Sequence, residues 1–434
     1  MNGYQQTETR TIGFSIEAIA FSLYLIRDAF GGAMRYYTSK FHMDVLWFMP
    51  DLVATLCVAL FIKRCIIDNR SIVAALVLLQ ICVSLWIGFV FLGSSTALLS
   101  SIKMVFPLFV GFCFCDRDLG QYPRTLKIVI VTFYISLAGI FMSKFWMMPW
   151  VGFKYESFGA TREAGRLWWS FAEQRLCGFA AESTMAAYFV LVAYVITSIR
   201  KSTMWCLVLG GISGYAIRLT TSKTTLGVLV IYLVCLLIVR ALPEERRLPM
   251  LQRLALCSFL AIFVPIVLVL TLSGTQLATG HDGFFFSIQD RINHGWQQPF
   301  IYLTELMPVG LITGCGVGCF GYPQLLFSNL QSYWLPVDNF YVGTYLIFGL
   351  PFVFFVWLVF RATFVLTDVY KLSLIFVMNI FTITVLSYGP AMGLLVIAMG
   401  FGGVFTKPMT AVLQGGGRRV SDEPGPNSAL PVLR

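Results

Sequence analysis

Uninterrupted apolar runs recur along this chain, and short polar stretches separate them. Two of these runs, residues 71–92 and 254–272, contain no charged residue and are long enough to cross a hydrocarbon layer as helices. In lipid every backbone amide must be bonded within its own segment, so such runs form helices. The pattern predicts an all-α polytopic membrane protein with about twelve transmembrane helices, at residues 12–31, 45–62, 72–92, 98–115, 126–142, 178–198, 203–220, 223–240, 253–272, 338–360, 372–388 and 391–406.

The composition excludes a soluble globular protein. Hydrophobic residues make up 58% of the chain and charged residues only 12%, whereas soluble domains carry about a quarter charged residues. The net charge of +10 is scattered over many short loops, which fits an anionic membrane leaflet and gives no indication of nucleic-acid binding. The first apolar run lacks a basic segment before it and a small-residue cleavage site, so we expect it to remain as an anchor.

Positive charge in the connecting loops predicts the orientation. Basic residues cluster on one side of the predicted membrane, near residues 63–70, 117–127, 200–201, 240–253 and 361–371. Loops rich in Lys and Arg stay in the cytoplasm. We therefore expect this side and both termini to be cytoplasmic.

Two connections on the opposite, outer side are too long to be simple turns: residues 143–177 and 273–337. Loops of this length are usually functional. In the second, Ile288, Ile292 and Trp296 are spaced to share one helix face, which predicts an amphipathic helix lying in the membrane interface.

The chain divides into two parts by composition. Residues 1–406 form a single transmembrane domain, whose site we expect in the two outer loops. Residues 407–434 are rich in Gly, Pro and Ser and contain too little apolar surface to fold. We interpret them as a disordered cytoplasmic tail.

Ionisable residues lie near the outer ends of the apolar runs, where a charge is costly unless it has a partner or a function. The set is Lys103, Arg175, Glu182, Arg218, Lys223, Arg291 and Asp338. Arg175 and Glu182 are the pair we most expect to interact, and snorkelling to the interface would also explain Lys103. Because the cations outnumber the acids, the set predicts a site for an anion at the membrane boundary.

Guanidinium groups suit phosphate through two parallel hydrogen bonds. A lipid-linked diphosphate would place two phosphates at this depth and leave its glycan in the outer compartment. Glu182 and Asp338 are then candidates to take a proton from an attacking sugar hydroxyl. Asp338 has a slight edge as the base, because it directly follows the long outer loop and has no cation near it in sequence, and Glu182 would orient Arg175 or the acceptor. Fixed cations can stabilise the leaving diphosphate, and His281 and His294 lack metal-ligand spacing, so we predict no metal and no other cofactor.

The run GCGVGCFG (314–321) superficially matches a dinucleotide-binding fingerprint. We reject that interpretation because no strand precedes it and no βαβ unit follows. Its two cysteines, Cys315 and Cys319, could oxidise in the outer compartment, but four-residue spacing in a Gly-rich turn is poor disulfide geometry. We expect them to be unpaired.

Several motifs in residues 175–355 together resemble the membrane polymerases of bacterial polysaccharides, the Wzy-type O-antigen and exopolysaccharide polymerases, which are related to the O-antigen ligases. RLCGFAAESTMAAYF is similar to the family's Arg, Gly-Phe and Glu-Pro-Ser series, although here Ser183 replaces the proline. LTTSKTTLG resembles its Ser-Lys/Arg-Thr segment. DRINHGW, GCGVGCFG and PVDNFYVGTYLIFGLPF resemble the motifs that follow in the family.

The resemblance implies a membrane glycosyltransferase of the bacterial inner membrane that acts on undecaprenyl-diphosphate-linked oligosaccharides. It implies that Arg175 and Arg291 bind the diphosphate and that Glu182 or Asp338 orients or deprotonates the acceptor, with Asn339 beside it. Arg218 and Lys223 complete the expected phosphate-binding set. A chain-length-determining membrane protein is a possible partner. Asp338 stands where the ligases often have His, which favours a polymerase, although a ligase-like transferase stays open.

A transporter, such as a lipid-linked oligosaccharide flippase, is the alternative from a different class. Twelve spans with intramembrane charges fit it as well. Transporters, however, usually hold their charges near the midplane, at interrupted helices and with internal repeats. Here the charges lie at one edge beside a large loop, and we see no internal repeat, so the enzyme is favoured.

Overall fold

The computed structural model describes residues 15–157, 160–170, 173–273, 288–384, 391–406 and 409. About 75% of it is helical. Six helices in the described part are long and apolar enough to cross a membrane: Asp44–Asp68, Ile72–Leu92, Ser95–Phe112, Pro123–Met142, Lys223–Ala241 and Glu244–Leu272. Shorter apolar helices accompany them at Ser183–Ser198, Thr203–Leu219, Leu350–Thr363, Val369–Phe381 and Ala391–Phe405. The architecture is that of an all-α membrane protein.

The α-helices of the described residues follow one another with few breaks. The first nine are α1 (Ile16–Ala29), α2 (Gly31–Lys40), α3 (Met49–Phe61), α4 (Ile72–Leu92), α5 (Ser95–Phe112), α6 (Pro123–Met142), α7 (Ser183–Ser198), α8 (Thr203–Leu219) and α9 (Lys223–Ala241). The remainder are α10 (Glu244–Ser258), α11 (Val264–Leu272), α12 (Gln298–Leu306), α13 (Gly310–Thr313), α14 (Tyr322–Phe327), α15 (Phe340–Phe348), α16 (Leu350–Thr363), α17 (Val369–Phe381) and α18 (Ala391–Phe401).

Local sequence signals explain where several of these helices begin and end. Ser71 caps α4, because its hydroxyl accepts a hydrogen bond from the Ala74 amide at 3.3 Å, and Gly93 ends the helix with a φ of 63°. Ser94 then caps α5 in the same way. Asp368 caps α17 by accepting from the amide of Tyr370. Polar residues between apolar runs therefore set the helix boundaries.

Several predicted spans differ from the observed helices, and the span 45–62 continues to Asp68. The span 178–198 begins only at Ser183, because the preceding residues form an irregular approach to the helix. The span 253–272 extends back to Glu244, since the basic stretch before it is itself helical. The span 338–360 consists of two helices, separated at Gly349, where φ is 66°. Residues 12–14 and 385–388 of the predicted spans lie outside the described residues.

The first long loop contains short strands, which the all-α prediction did not include. β1 (Lys154–Ser157) and β2 (Ala160–Glu163) pair antiparallel. β3 (Trp169–Ser170) and β4 (Glu173–Gln174) form a second antiparallel pair. Any alternation within segments of two to four residues is too short to stand out beside the apolar helices.

The second long loop holds a helical segment where the amphipathic pattern predicts one. A π-helical turn at Arg291–Gln297 continues into α12. Ile292 and Trp296 are buried, as their shared face predicts, whereas Ile288 is half-buried and His294 is exposed. The buried face packs against the protein, beside α11. Residues 274–287 of this loop and residues 410–434 of the predicted tail lie outside the described residues.

The glycine-rich segment 314–321 enters the helical bundle. The amide of Gly316 donates to the carbonyl of Ile347 at 3.1 Å, and the amide of Val317 donates to the carbonyl of Ser84 at 3.0 Å. The segment thus joins α4 to the end of α15, where the break at Gly349 leaves carbonyl groups without helical partners. A turn of this sequence is well suited to such a position, because glycine tolerates the positive φ values found here.

Cys315 and Cys319 are joined in a disulfide, so the expectation that they are unpaired was wrong. Their Cα atoms are 6.1 Å apart, within the range a disulfide requires. The positive-φ glycines between them, Gly316 and Gly318, bend the segment back on itself, which the four-residue spacing alone does not indicate.

Candidate functional site

Arg175 and Glu182 flank the irregular approach to α7. The Arg175 Nε donates to the carbonyl oxygen of Thr220 at 3.4 Å, and its guanidinium lies 5.2 Å from the centroid of the Trp168 ring. Glu182 occupies the N-cap position of α7, but its side chain makes no capping hydrogen bond. Burial lowers the pKa of Arg175, and the Glu182 carboxylate opposes that change. The pair expected from sequence is therefore close in space, although no direct salt bridge joins its members in the described part of the chain.

Arg218 and Lys223 lie on either side of the turn between α8 and α9, as the sequence predicts. Arg218 forms a two-pronged salt bridge with Glu173, at 2.9 and 3.2 Å, and both side chains are more than half exposed. Lys223 is the first residue of α9 and is exposed. Arg218 therefore has an acidic partner from the first long loop, and it turns towards that loop.

Asp338 and Arg291 form an ion pair that sequence spacing could not reveal, since 47 positions separate them. The Arg291 Nε lies 3.4 Å from an Asp338 carboxylate oxygen. Asp338 precedes α15, outside the helix, and 45% of its side chain is exposed. Partial burial raises the pKa of Asp338, and Arg291 acts in the opposite direction. A carboxylate that is reachable and made more basic can act as a proton acceptor.

Asn339 was predicted to take part in catalysis, but its side chain caps the start of α15. It is fully buried, its side-chain oxygen accepts from the Val342 amide at 2.9 Å, and its Nδ2 donates to the carbonyl of Ile383 at 2.8 Å. These bonds cap α15 and fix its first residue against the turn after α17. Asn339 is a positioning residue for Asp338.

The two acid–cation pairs belong to the same end of the helical bundle. The turn that accepts the Arg175 hydrogen bond leads into α9, where the Thr224 hydroxyl lies 2.8 Å from the hydroxyl of Thr384. Thr384 follows Ile383, which accepts the hydrogen bond of Asn339. These contacts connect Arg175 with Asn339, the neighbour of Asp338, through the turns after α8 and α17.

Lys103 lies in α5 and belongs to a buried cluster that the sequence interpretation did not identify. Its Nζ is 3.4 Å from an oxygen of Asp51. Arg27 donates to both oxygens of Asp51, at 3.1 and 3.0 Å, and the Tyr24 hydroxyl donates at 2.9 Å. Arg27 also contacts Asp28 at 3.5 Å. Lys103 therefore has a fixed partner, and snorkelling is not needed to explain it.

A signal for this cluster was present in the sequence. Arg27, Asp28 and Asp51 all fall within predicted spans, and ionisable residues at such positions are expected to be functional or paired. What the sequence does not provide is the partner, because α1, α3 and α5 meet only in the folded bundle. The network ties these three helices together.

An apolar cavity of about 340 Å³ lies between α4, α5, α15, α16 and α18. Phe340, the residue after Asn339, lines it. Gln80 and Thr344 are the polar side chains among the described residues of its wall. The cavity is therefore largely apolar, and the first residue of α15 forms part of its wall.

No group of three or more His, Cys, Asp or Glu residues that could hold a metal ion occurs within the described ranges. Searches with this chain against models of known protein families, curated proteins and solved structures found no significant match. The function must therefore be argued from the residues and their arrangement.

Proposed function

We propose that the protein is a membrane polysaccharide polymerase, which transfers a glycan from one lipid-linked diphosphate onto a second lipid-linked repeat unit. The observation that carries this proposal is the placement of two acid–cation pairs at one end of an apolar bundle. Arg291 and Asp338 form one, and Arg175 and Glu182 form the other. Growth of a glycan requires cations for the leaving diphosphate and a base for the attacking hydroxyl.

In this reaction Asp338 takes the proton from the acceptor hydroxyl. The hydroxyl oxygen then forms a bond to the sugar carbon that bears the diphosphate. The bond from that carbon to the diphosphate oxygen breaks, and the lipid diphosphate leaves with the bonding electrons. Arg175 and Arg291 bind the developing negative charge, with Lys223 nearby at the start of α9. Glu182 orients Arg175 and the acceptor.

The apolar cavity supports a lipid-linked substrate. An isoprenoid chain carries no hydrogen-bonding group, so it suits a wall in which almost all side chains are apolar. Phe340 connects that wall to the residue that caps α15. Undecaprenyl diphosphate is the carrier implied by the resemblance described above.

We further propose twelve membrane crossings, with both termini in the cytoplasm of a bacterial cell and the site on the outer face of the inner membrane. The eleven apolar helical segments become twelve when α1 is added. The disulfide between Cys315 and Cys319 supports the outer placement of the long loops, because disulfides persist in oxidising compartments such as the periplasm.

Two alternatives use the same architecture. An O-antigen ligase-like enzyme would transfer the completed glycan once, onto a different lipid acceptor. A flippase would move the lipid-linked glycan without making a bond, and the break at Gly349 is an interrupted helix of the kind carriers use. The base-and-cation arrangement around Asp338 favours the enzyme, since transport needs no proton acceptor at a sugar hydroxyl.

The test uses purified full-length protein in detergent with one lipid-linked oligosaccharide, in the absence of sealed vesicles. A polymerase yields a ladder of products, each one repeat longer than the last. A single addition that occurs only with a different acceptor lipid would indicate a ligase. Absence of any product, together with translocation of the same lipid in proteoliposomes, would replace the proposal with the flippase.

A further inference from the structure

Arg35 is a buried cation held by aromatic rings. It lies on α2, with only 5% of its surface exposed. Its guanidinium carbon is 3.8 Å from the Trp47 ring centroid and 4.7 Å from the Tyr155 ring centroid. Stacking on ring faces holds the guanidinium plane and leaves its N–H edges available for an acceptor in that plane.

Arg35 lacks the acceptor that a buried guanidinium requires. Its Nε is buried and has no hydrogen-bond partner among the described residues. The pKa of Arg35 falls to about 10, mainly because of burial; Tyr155 and Asp44 oppose that change, and Arg162 and Arg27 add to it. The Asp51 carboxylate is already bound by Arg27, so it does not supply the negative charge that Arg35 lacks. A buried donor of this kind is costly unless a ligand satisfies it.

Arg162 is a second such cation beside the first. It is half-buried, and its Nε is also buried without a partner in the described part of the chain. On the β1–β2 hairpin it lies directly opposite Tyr155, the residue that stacks on Arg35. Directly opposed residues on paired strands share one face of the hairpin. Arg162 therefore lies on the hairpin face whose Tyr155 ring packs against Arg35, and each guanidinium has a buried Nε without a partner in the described part of the chain.

The pair adjoins the site of the proposed reaction. The guanidinium of Arg162 lies 5.9 Å from the Tyr322 ring centroid. Burial raises the pKa of the Tyr322 hydroxyl, Glu182 raises it further, and Arg166 and Arg162 lower it. Tyr322 thus has Arg162 on one side and Glu182 near it, which places the two guanidinium groups next to the predicted acceptor-orienting acid.

We propose that Arg35 and Arg162 bind one oxyanion group of the substrate, a phosphate or a carboxylate. Two guanidinium groups converging on one space suit the several oxygens of such a group, and like charges this close favour a bound anion between them. The identity of the substrate rests on the proposed function. The oxyanion would come either from the lipid-linked diphosphate or from an acidic sugar of the glycan.

The experiment measures binding by purified full-length protein in nanodiscs of neutral phosphatidylcholine. The probes are undecaprenyl diphosphate, which has no sugar, and a soluble glucuronate-containing oligosaccharide, which has no phosphate. The variants are Arg35→Lys, which keeps the charge but loses the planar fork, and Arg162→Gln. Lys144→Gln is the matched control, because Lys144 is an exposed cation of the same loop that bonds the Tyr215 hydroxyl at 3.0 Å.

We expect both variants to bind one of the two probes about tenfold or more weakly, as loss of a charged hydrogen bond predicts, with Lys144→Gln unchanged. The probe affected identifies the source of the oxyanion. Unchanged affinity for both probes in both variants overturns the proposal, as does failure of the parent protein to bind either probe. If Arg35→Lys fails to give a cooperative unfolding transition, Arg162→Gln, on a surface hairpin, decides.

The two proposals can fail separately. A parent protein that binds a probe through Arg35 and Arg162 but makes no polymer leaves the binding site standing and removes the polymerase. If the parent protein makes polymer and its variants bind both probes normally, the polymerase stands and the proposed oxyanion site is removed.

Discussion

Asp338 and Glu182 have different surroundings, although each lies just before an apolar helix. Asp338 contacts Arg291 at 3.4 Å and keeps 45% of its side chain exposed. Partial burial raises its pKa, with Arg291 opposing. Glu182 is half-buried near Arg175. Because a general base needs access to the hydroxyl and a suitable pKa, we propose Asp338 as the base and Glu182 as the orienting group.

Isosteric amides test this assignment. We expect Asp338→Asn to reduce chain growth by about a hundredfold or more, since it removes the proton acceptor without changing volume. Binding of the lipid-linked donor should persist. Glu182→Gln should weaken donor binding and turnover together, because Arg175 loses a neighbouring carboxylate. Turnover and donor affinity are measured on matched amounts of purified protein.

The reverse pattern would exchange the two roles. It consists of normal turnover in Asp338→Asn and of a Glu182→Gln protein that binds donor yet cannot react. Normal turnover in both variants would remove both acids from the reaction.

The ion pair also predicts a pH dependence. A base acts only when deprotonated, so turnover should rise with pH through the pKa of Asp338. Arg291 lowers that pKa against the effect of burial. Arg291→Gln should therefore move the acidic limb of the rate profile to higher pH, whatever its effect on the maximal rate.

His294→Gln is the control for this profile. His294 is an exposed, ionisable neighbour whose Nδ1 lies 2.8 Å from an oxygen of Asp290. In His294→Gln the acidic limb of the rate profile should stay at the same pH. A limb that moves in His294→Gln and not in Arg291→Gln would assign it to the histidine.

At the scale of elements, the junction between α4, the glycine-rich segment and the α15–α16 break is the part that depends most on residue size. A Cβ added to Gly316 would lie 2.0 Å from the Gly88 amide nitrogen, and its φ is 88°. A Cβ added to Gly88 would lie 2.4 Å from the Val317 carbonyl oxygen. Both contacts are with backbone, so a rotamer change cannot relieve them.

We expect Gly316→Ala to lower the free energy of unfolding by about 2 kcal/mol or more, from backbone strain and overpacking together. Gly227→Ala is the matched control. Gly227 lies inside α9 with open space around its Cα, so alanine there should leave stability unchanged or raise it slightly. Thermal unfolding midpoints in detergent compare the two. Equal midpoints would show that the segment does not hold α4 to α15.

At the scale of the whole molecule, charge is the feature that ties distant helices together. At the end of the bundle opposite the site, Glu17 of α1 accepts hydrogen bonds from Arg64 at 2.9 Å, Arg117 at 3.0 Å and Tyr122 at 2.8 Å. At the site end, Asp51 joins α1, α3 and α5. The buried charges of these two networks are stabilised by their partners, so the cations left for a substrate are those outside the networks, near the loops.

From this distribution we predict that the reaction is independent of metal. Fixed guanidinium groups take the place that a divalent ion would otherwise have at the diphosphate. We expect polymerisation by the purified protein to continue at its original rate in excess EDTA. Loss of activity in EDTA, restored by one divalent ion, would mean that the diphosphate is bound by a metal and that the roles of Arg175 and Arg291 need revision.

The sequence by itself determined the class of fold and most helix positions. Long uncharged runs leave a chain in lipid no alternative to helix, so α4 at 72–92 follows from residue type alone. The sequence predicts the end of a helix less well where the irregular chain next to the helix is also apolar, as it is before Ser183. The sequence also placed Arg175 beside Glu182, since few residues separate them.

Only the tertiary structure decided which distant groups meet. Arg291 and Asp338 come from different elements, as do Lys103 and Asp51, and no local pattern encodes such pairs. The structure likewise assigned Asn339 to a helix cap and brought Arg35 beside the hairpin that carries Arg162. The physical reason is common to all of them. Apolar burial fixes each helix by its own residues, whereas a buried charge is tolerated only through partners that packing brings from elsewhere in the chain.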